Sequence, residues 1–163
     1  KLLWEHDKYQ ADLIDPICRL LDKRGLSYKF IRYGFYTHQD LAENLKKVRG
    51  VIFLCESESQ GFAYQQILAT GTPILAWDRA GYWQDPYYFP DKVKFGPVSS
   101  TPYWDERCGF KFEGIADFEG QLVKFNSKLG LFKPRDYITE NLSLEKCAEK
   151  YLEVYRQVLN ELA

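Results

Sequence analysis

Hydrophobic and polar positions fall into blocks along this chain, and the clearest block lies in its middle. Residues 51–55, Val-Ile-Phe-Leu-Cys, are an unbroken apolar run of strand length, the pattern of a parallel strand covered on both faces. A polar stretch from Glu56 to Gln60 leads to Gly61, and from Phe62 to Thr70 the residues Tyr64, Ile67 and Leu68 recur on one helical stripe. Gly71 can take the left-handed conformation that ends a helix, and Thr72-Pro73 re-enters a second apolar run, Ile74 to Trp77. Strand, helix and strand in this order predict one βαβ unit.

The flanking pattern extends it. Leu2-Leu3-Trp4 reads as a first strand, and Asp15-Pro16 starts a helix that turns Ile17, Leu20 and Leu21 inward and ends at Gly25. Residues 28–33 alternate polar with apolar and predict a second strand. Thr37 and Asp40 stand at capping-box spacing before a helix with Leu41, Leu45 and Val48 as its buried stripe, closed by Gly50. Phe110-Lys111-Phe112 reads as a late strand, and Asp117 as the cap of a helix carrying Phe118, Leu122, Phe125 and Leu129. The most regular i, i+3, i+4 pattern of all follows Ser143 and runs from Leu144 through Cys147, Tyr151, Tyr155 and Val158 to Leu162. Together these elements predict an α/β chain, a Rossmann-like three-layer domain with a mainly parallel sheet. Residues 77–107 differ: rings such as Tyr82, Trp83 and Trp104 are interleaved with Pro86, Pro90, Pro97 and Pro102, which exclude a long helix and point to an ordered cover or a binding surface.

Composition narrows the classes. At 163 residues the chain predicts a single domain, 1–163, with one core. With 22 Lys and Arg against 23 Asp and Glu and no basic run, nothing marks a nucleic-acid backbone or an anionic membrane as partner. No segment has the length of a membrane span. Cys18, Cys55, Cys108 and Cys147 are widely spaced, so free thiols and a cytoplasmic location are expected, with Cys55 and Cys147 packed as small hydrophobes. Asp78, Asp85 and Asp105 lack companions at ligand spacing, so no metal is expected, and His6 and His38 belong to no nucleophile system. The chain begins at Lys1 without Met and is expected to be a fragment of a longer protein.

The βαβ unit then carries the chemistry. A loop that follows a parallel strand lies at the carboxyl edge of the sheet, where open α/β sheets take their ligands. Backbone N–H groups at the following helix start favour an anion, so Gln60, Gly61 and Phe62 can hold a phosphate through main chain alone. On spacing alone, Gly61 could equally serve only a turn and Glu58 only solvent.

Glu58, seven intervening residues, Gln66, and then Ala69-Thr70-Gly71-Thr72-Pro73-Ile74 resemble the E-x7-E region and the following A-x-G-x-P-V of retaining glycosyltransferases with the GT-B fold, family 4 (group 1 type) in particular. The resemblance implies the C-terminal, nucleotide-sugar-binding half of a two-domain enzyme. It implies that Glu58 meets hydroxyls of the donor sugar, that Ser59, Gln60, Gly61 and Phe62 hold the diphosphate, and that Gln66 holds the ribose. Lys8 stands closest to the basic residue that faces the diphosphate in that family, and Tyr36 and Thr37 are candidates for the nucleobase. The implied substrate is a UDP- or GDP-sugar with no further cofactor. The implied partner is a missing N-terminal acceptor domain, without which the fragment is expected to be inactive. Position 66 is Gln where the family usually has Glu, and Gly61 lies three residues after Glu58, whereas many members place the glycine immediately after it. The chain is also one strand-helix repeat short between Tyr33 and Val51. Two other readings stay open: another GT-B-type enzyme such as a sugar-nucleotide epimerase, and a non-catalytic binding module of flavodoxin-like shape.

Overall fold

A computed structural model of the chain describes residues 9–82 and 96–161. The expected strand at residues 2–4, Lys8, and residues 83–95 of the aromatic segment lie outside the described residues. Three short strands, β1 (Val51–Leu54), β2 (Ile74–Trp77) and β3 (Gly109–Phe112), form one parallel sheet in the order β1-β2-β3. Register is continuous, with Val51 beside Ile74 and Ile74 beside Gly109.

Central β2 is buried at all four positions, and its side chains alternate between two cores. Leu75 and Trp77 point into a cluster with Ile17 and Leu21 of helix α1 (Asp15–Lys23) and with Phe118, Leu122 and Phe125 of a later helix, Ile115–Lys128. Ile74 and Ala76 point the other way, into a cluster with Leu41 and Leu45 of α2 (His38–Leu45) and Tyr64, Ile67 and Leu68 of α3 (Phe62–Ala69). Numbered in order, Ile115–Lys128 is α4, Pro134–Asn141 is α5 and Leu144–Glu161 is α6. Two apolar clusters on opposite faces of a parallel sheet are the three layers the apolar runs imply. The β1-α3-β2 unit forms as expected.

Close approach of β3 to β2 depends on one residue. Gly109 has φ +139, and a Cβ there would sit 1.9 Å from the Ile74 carbonyl oxygen. Any side chain would push the two backbones apart.

Four sequence expectations change. Residues 28–33 form no strand: Tyr28, Phe30, Ile31 and Tyr33 are exposed, and alternation alone supplies neither a hydrogen-bonded neighbour nor a covered face. Val48 lies beyond the end of α2 and is exposed, while Leu41 and Leu45 are buried. Asp117 is not the cap residue but stands at the third position of α4, where its carboxylate accepts the N–H groups of Gly114 at 3.0 Å and Glu113 at 3.1 Å. The most periodic helix, α6, buries none of its residues, and Cys147 on its stripe is exposed. A π-helical turn, Gln10–Ile14, which no sequence signal announced, precedes α1 and contributes buried Leu13 and Ile14.

None of the four cysteines forms a disulfide. Among the described residues no helix is long and apolar enough to cross a membrane.

Candidate functional site

The loop of residues 55–61 leaves β1 at the carboxyl edge and delivers the chain to α3. Gly61 is the N-cap of α3, with φ +72 and ψ +40, a left-handed conformation that costs other residues energy. A Cβ at position 61 would also lie 1.8 Å from Cε1 of Tyr64. Glycine is therefore required twice over, by the turn and by the ring beneath it. No side chain caps α3, so the amides of its first turn are left to other acceptors. Gln65 reaches back to donate to the Gln60 carbonyl, which closes the loop on the helix.

Tyr64 explains why the helix start is firm. Its hydroxyl donates to the Tyr103 carbonyl at 3.1 Å and accepts from the Tyr103 N–H at 2.9 Å, and its ring packs edge-on to Phe53 of β1. Burial pushes this phenol up to about 12, so it stays neutral.

Beside α3 lies an open cleft of about 230 Å³ between the turn at residues 33–38 and the helix, lined by Tyr33, Tyr36, His38, Phe62, Ala63 and Gln66, with the Gly34 backbone. Tyr33 and Tyr36 meet edge to face with centroids 6.5 Å apart, and the Phe62 ring is largely exposed. Burial and the neighbouring Tyr33 raise the Tyr36 phenol above its ordinary value. Gln66 Nε2 lies 3.4 Å from His38 Nδ1. Flat apolar faces with an amide and an imidazole at one end suit a ring-shaped, hydrogen-bonding ligand. The volume suffices for one part of a nucleotide rather than for a whole nucleotide sugar.

The candidate residues thus divide into two groups. Tyr36, Phe62 and Gln66 come together at the cleft. Thr37 is adjacent, but its hydroxyl serves the cap of α2, accepting from the Asp40 N–H at 3.1 Å and donating to Asp40 Oδ2 at 2.7 Å. Glu58 is not among the residues lining the cleft. Its N–H donates to the Ser99 carbonyl at 3.0 Å, and its carboxylate lies 3.6 Å from the Cys55 thiol. Ser59 and Gln60 are exposed in the loop between the two groups.

Around Glu58 the edge is charged. Glu56 pairs with Arg79, and Asp78 at the end of β2 pairs with Lys111 of β3 at 2.7 Å. Burial pulls the Asp78 carboxyl upward, but bonds from Lys111 and Ser99 outweigh it and leave the group below its ordinary value. His38 and Lys111 were missed as participants because each meets its partner only through the fold, across 28 and 33 residues of sequence. Cys108 is buried, and burial raises its thiol to about 11, so it is no nucleophile at neutral pH. Among the described residues no group of three or more His, Cys, Asp or Glu side chains could hold a metal ion.

Compared with known proteins, the chain matches no family model, no curated protein and no solved structure.

Proposed function

We propose that this domain binds a nucleotide diphosphate sugar at its carboxyl edge and serves as the donor half of a retaining glycosyltransferase. The observation that carries the reading is Gly61, a left-handed N-cap that opens the uncapped start of α3 at the end of the loop that follows a parallel strand. In this reading the diphosphate meets backbone N–H groups of residues 60–62, the base or ribose occupies the cleft of Tyr36, Phe62 and Gln66, and Glu58 meets sugar hydroxyls. The main-chain donors and the helix dipole stabilise charge that develops on the departing diphosphate. Gln66 accepts from one ribose hydroxyl through its amide oxygen, where a carboxylate would take two. The acceptor and the remaining machinery belong to a second domain, so the chain by itself binds without transferring.

Titration calorimetry with UDP, GDP and their glucose conjugates tests this. Millimolar binding of a nucleoside diphosphate is expected, with the sugar conjugate bound more tightly. Glu58→Ala should weaken the conjugate by roughly tenfold to a hundredfold, the range of a hydrogen bond to a charged group, and leave the plain diphosphate nearly untouched. Absence of binding by all four compounds at several millimolar, or equal weakening of both ligand types by the substitution, would reject the reading.

A further inference from the structure

At the carboxyl edge of the sheet, one carboxylate ties the end of β2 to β3 and to residues 99–100. Asp78 directly follows β2, and its N–H donates to the Phe112 carbonyl at 2.8 Å. Its side chain is only 11% exposed and is bonded at both oxygens. Oδ2 accepts from Lys111 Nζ at 2.7 Å and from Ser99 Oγ at 2.6 Å, and Oδ1 accepts from the Ser100 N–H at 3.2 Å. Ser99 Oγ in turn accepts from the Thr101 N–H at 3.0 Å and lies 3.2 Å from Lys111 Nζ. The Ser99 carbonyl takes the N–H of Glu58 at 3.0 Å.

We infer that Asp78 is a positioning residue for Glu58, fixing residues 99–101 and, through the Ser99 carbonyl, the point at which the Glu58 backbone hangs over the sheet edge. The inference rests on the reading of Glu58 as the carboxylate that meets the donor sugar. Glu58 lies in a loop with no regular structure of its own, and a carboxylate that reads hydroxyls must be held to within about half an ångström of its working place. The Asp78 bonds can do this because they are charge-assisted and mostly shielded from water. Asp78 is not among the residues lining the cleft, and its effect reaches the sugar through Ser99 and Glu58 rather than directly.

The test uses Asp78→Asn, with Ser99→Ala as a milder second variant that removes the hydroxyl and keeps the carbonyl. Two quantities are read in each: amide hydrogen exchange at Glu58, and the ratio of UDP-glucose to UDP affinity by calorimetry. For Asp78→Asn, exchange at Glu58 should quicken by about tenfold or more while the amides of Leu75 and Ala76 in β2 keep their protection. The affinity ratio should fall by about tenfold, the scale of one charge-assisted bond, with UDP binding unchanged. Ser99→Ala should shift both quantities in the same direction and by less. A role confined to stability would speed exchange throughout β2 and would weaken both ligands alike, and that result overturns the inference. If the wild-type protein shows no advantage of UDP-glucose over UDP, the donor reading of Glu58 falls and this inference falls with it. If the wild-type protein shows that advantage and both variants retain it, only the role of Asp78 falls.

Discussion

Helix α3 has eight residues, a weak apolar stripe, and three fully inward side chains, Tyr64, Ile67 and Leu68. Helix α6 has eighteen residues, a regular stripe, and no buried side chain. Leu152, Leu159, Tyr151 and Tyr155 on α6 are all more than half exposed. The contrast follows from what each helix has beside it. A helix covering one face of a parallel sheet meets strands below and other elements beside it, so its apolar residues are less confined to one stripe, and α3 carries half-buried Ala63 and exposed Phe62 and Ala69 besides its core residues. A helix with a clean stripe has one apolar neighbour in prospect and solvent elsewhere. Periodicity measures the sharpness of that boundary and says nothing about which polypeptide supplies the neighbour. Among the described residues, α5 is the main element that α6 touches.

The largest expected effect separates the two helices by truncation. Leu68→Ala removes a side chain with no exposed area and should cost about 2–5 kcal/mol of unfolding free energy, whereas Leu152→Ala should stay within about 0.5 kcal/mol in a dilute monomer. Urea unfolding of both variants measures the difference. A comparable loss from Leu152→Ala would mean that α6 is covered in solution. A smaller effect concerns the start of α3. Gly61→Ala should lose at least about 1–2 kcal/mol from the left-handed backbone alone, with a further loss from displacing the Tyr64 ring, and diphosphate binding should go with it. Unchanged stability in that variant would show that the turn can adopt another conformation. The smallest effect compares two caps. Thr37 caps α2, whose Leu41 and Leu45 are buried in the core, and Ser143 Oγ accepts from the Lys146 N–H at 3.3 Å at the start of α6. Either substitution to Ala removes about 1 kcal/mol of local stabilisation. Thr37→Ala should lower the unfolding midpoint of the whole domain, while Ser143→Ala should only speed amide exchange in α6. A midpoint shift from Ser143→Ala would place α6 in the same cooperative unit as the sheet.

The readable parts of this molecule were those whose signal is local. The apolar runs of β1 and β2, the stop at Gly71 with φ +88, and the Thr37–Asp40 box are each set within a few residues, and each forms as expected. Residues 28–33 show the opposite case. An extended segment becomes a strand only when another strand presents its hydrogen bonds, and the chain gives no sign of whether one will be in reach. The candidate site was legible to the same degree. Gly61 is marked by its place at the start of a predicted helix, Gln66 by the resemblance alone, and Tyr36 by its place after an expected strand that does not form. Asp78 and Lys111 could not be paired from sequence because their contact is created by the alignment of β2 with β3, Ala76 beside Lys111. Nor could the separation of Glu58 from the cleft be foreseen, since it depends on where the 96–101 segment crosses the edge.

The pair of hydrogen bonds between the Tyr64 hydroxyl and the backbone of Tyr103 has a consequence for motion. A side chain that donates to and accepts from one residue cannot rotate away by losing a single contact. Opening would break both bonds at once and leave a buried phenol and two main-chain groups without partners. The start of α3 and the crossover near residue 103 therefore open and close together, on the slow timescale of cooperative local unfolding rather than the nanosecond timescale of free loops. A ligand that rigidified one would be felt at the other with no change of shape in between.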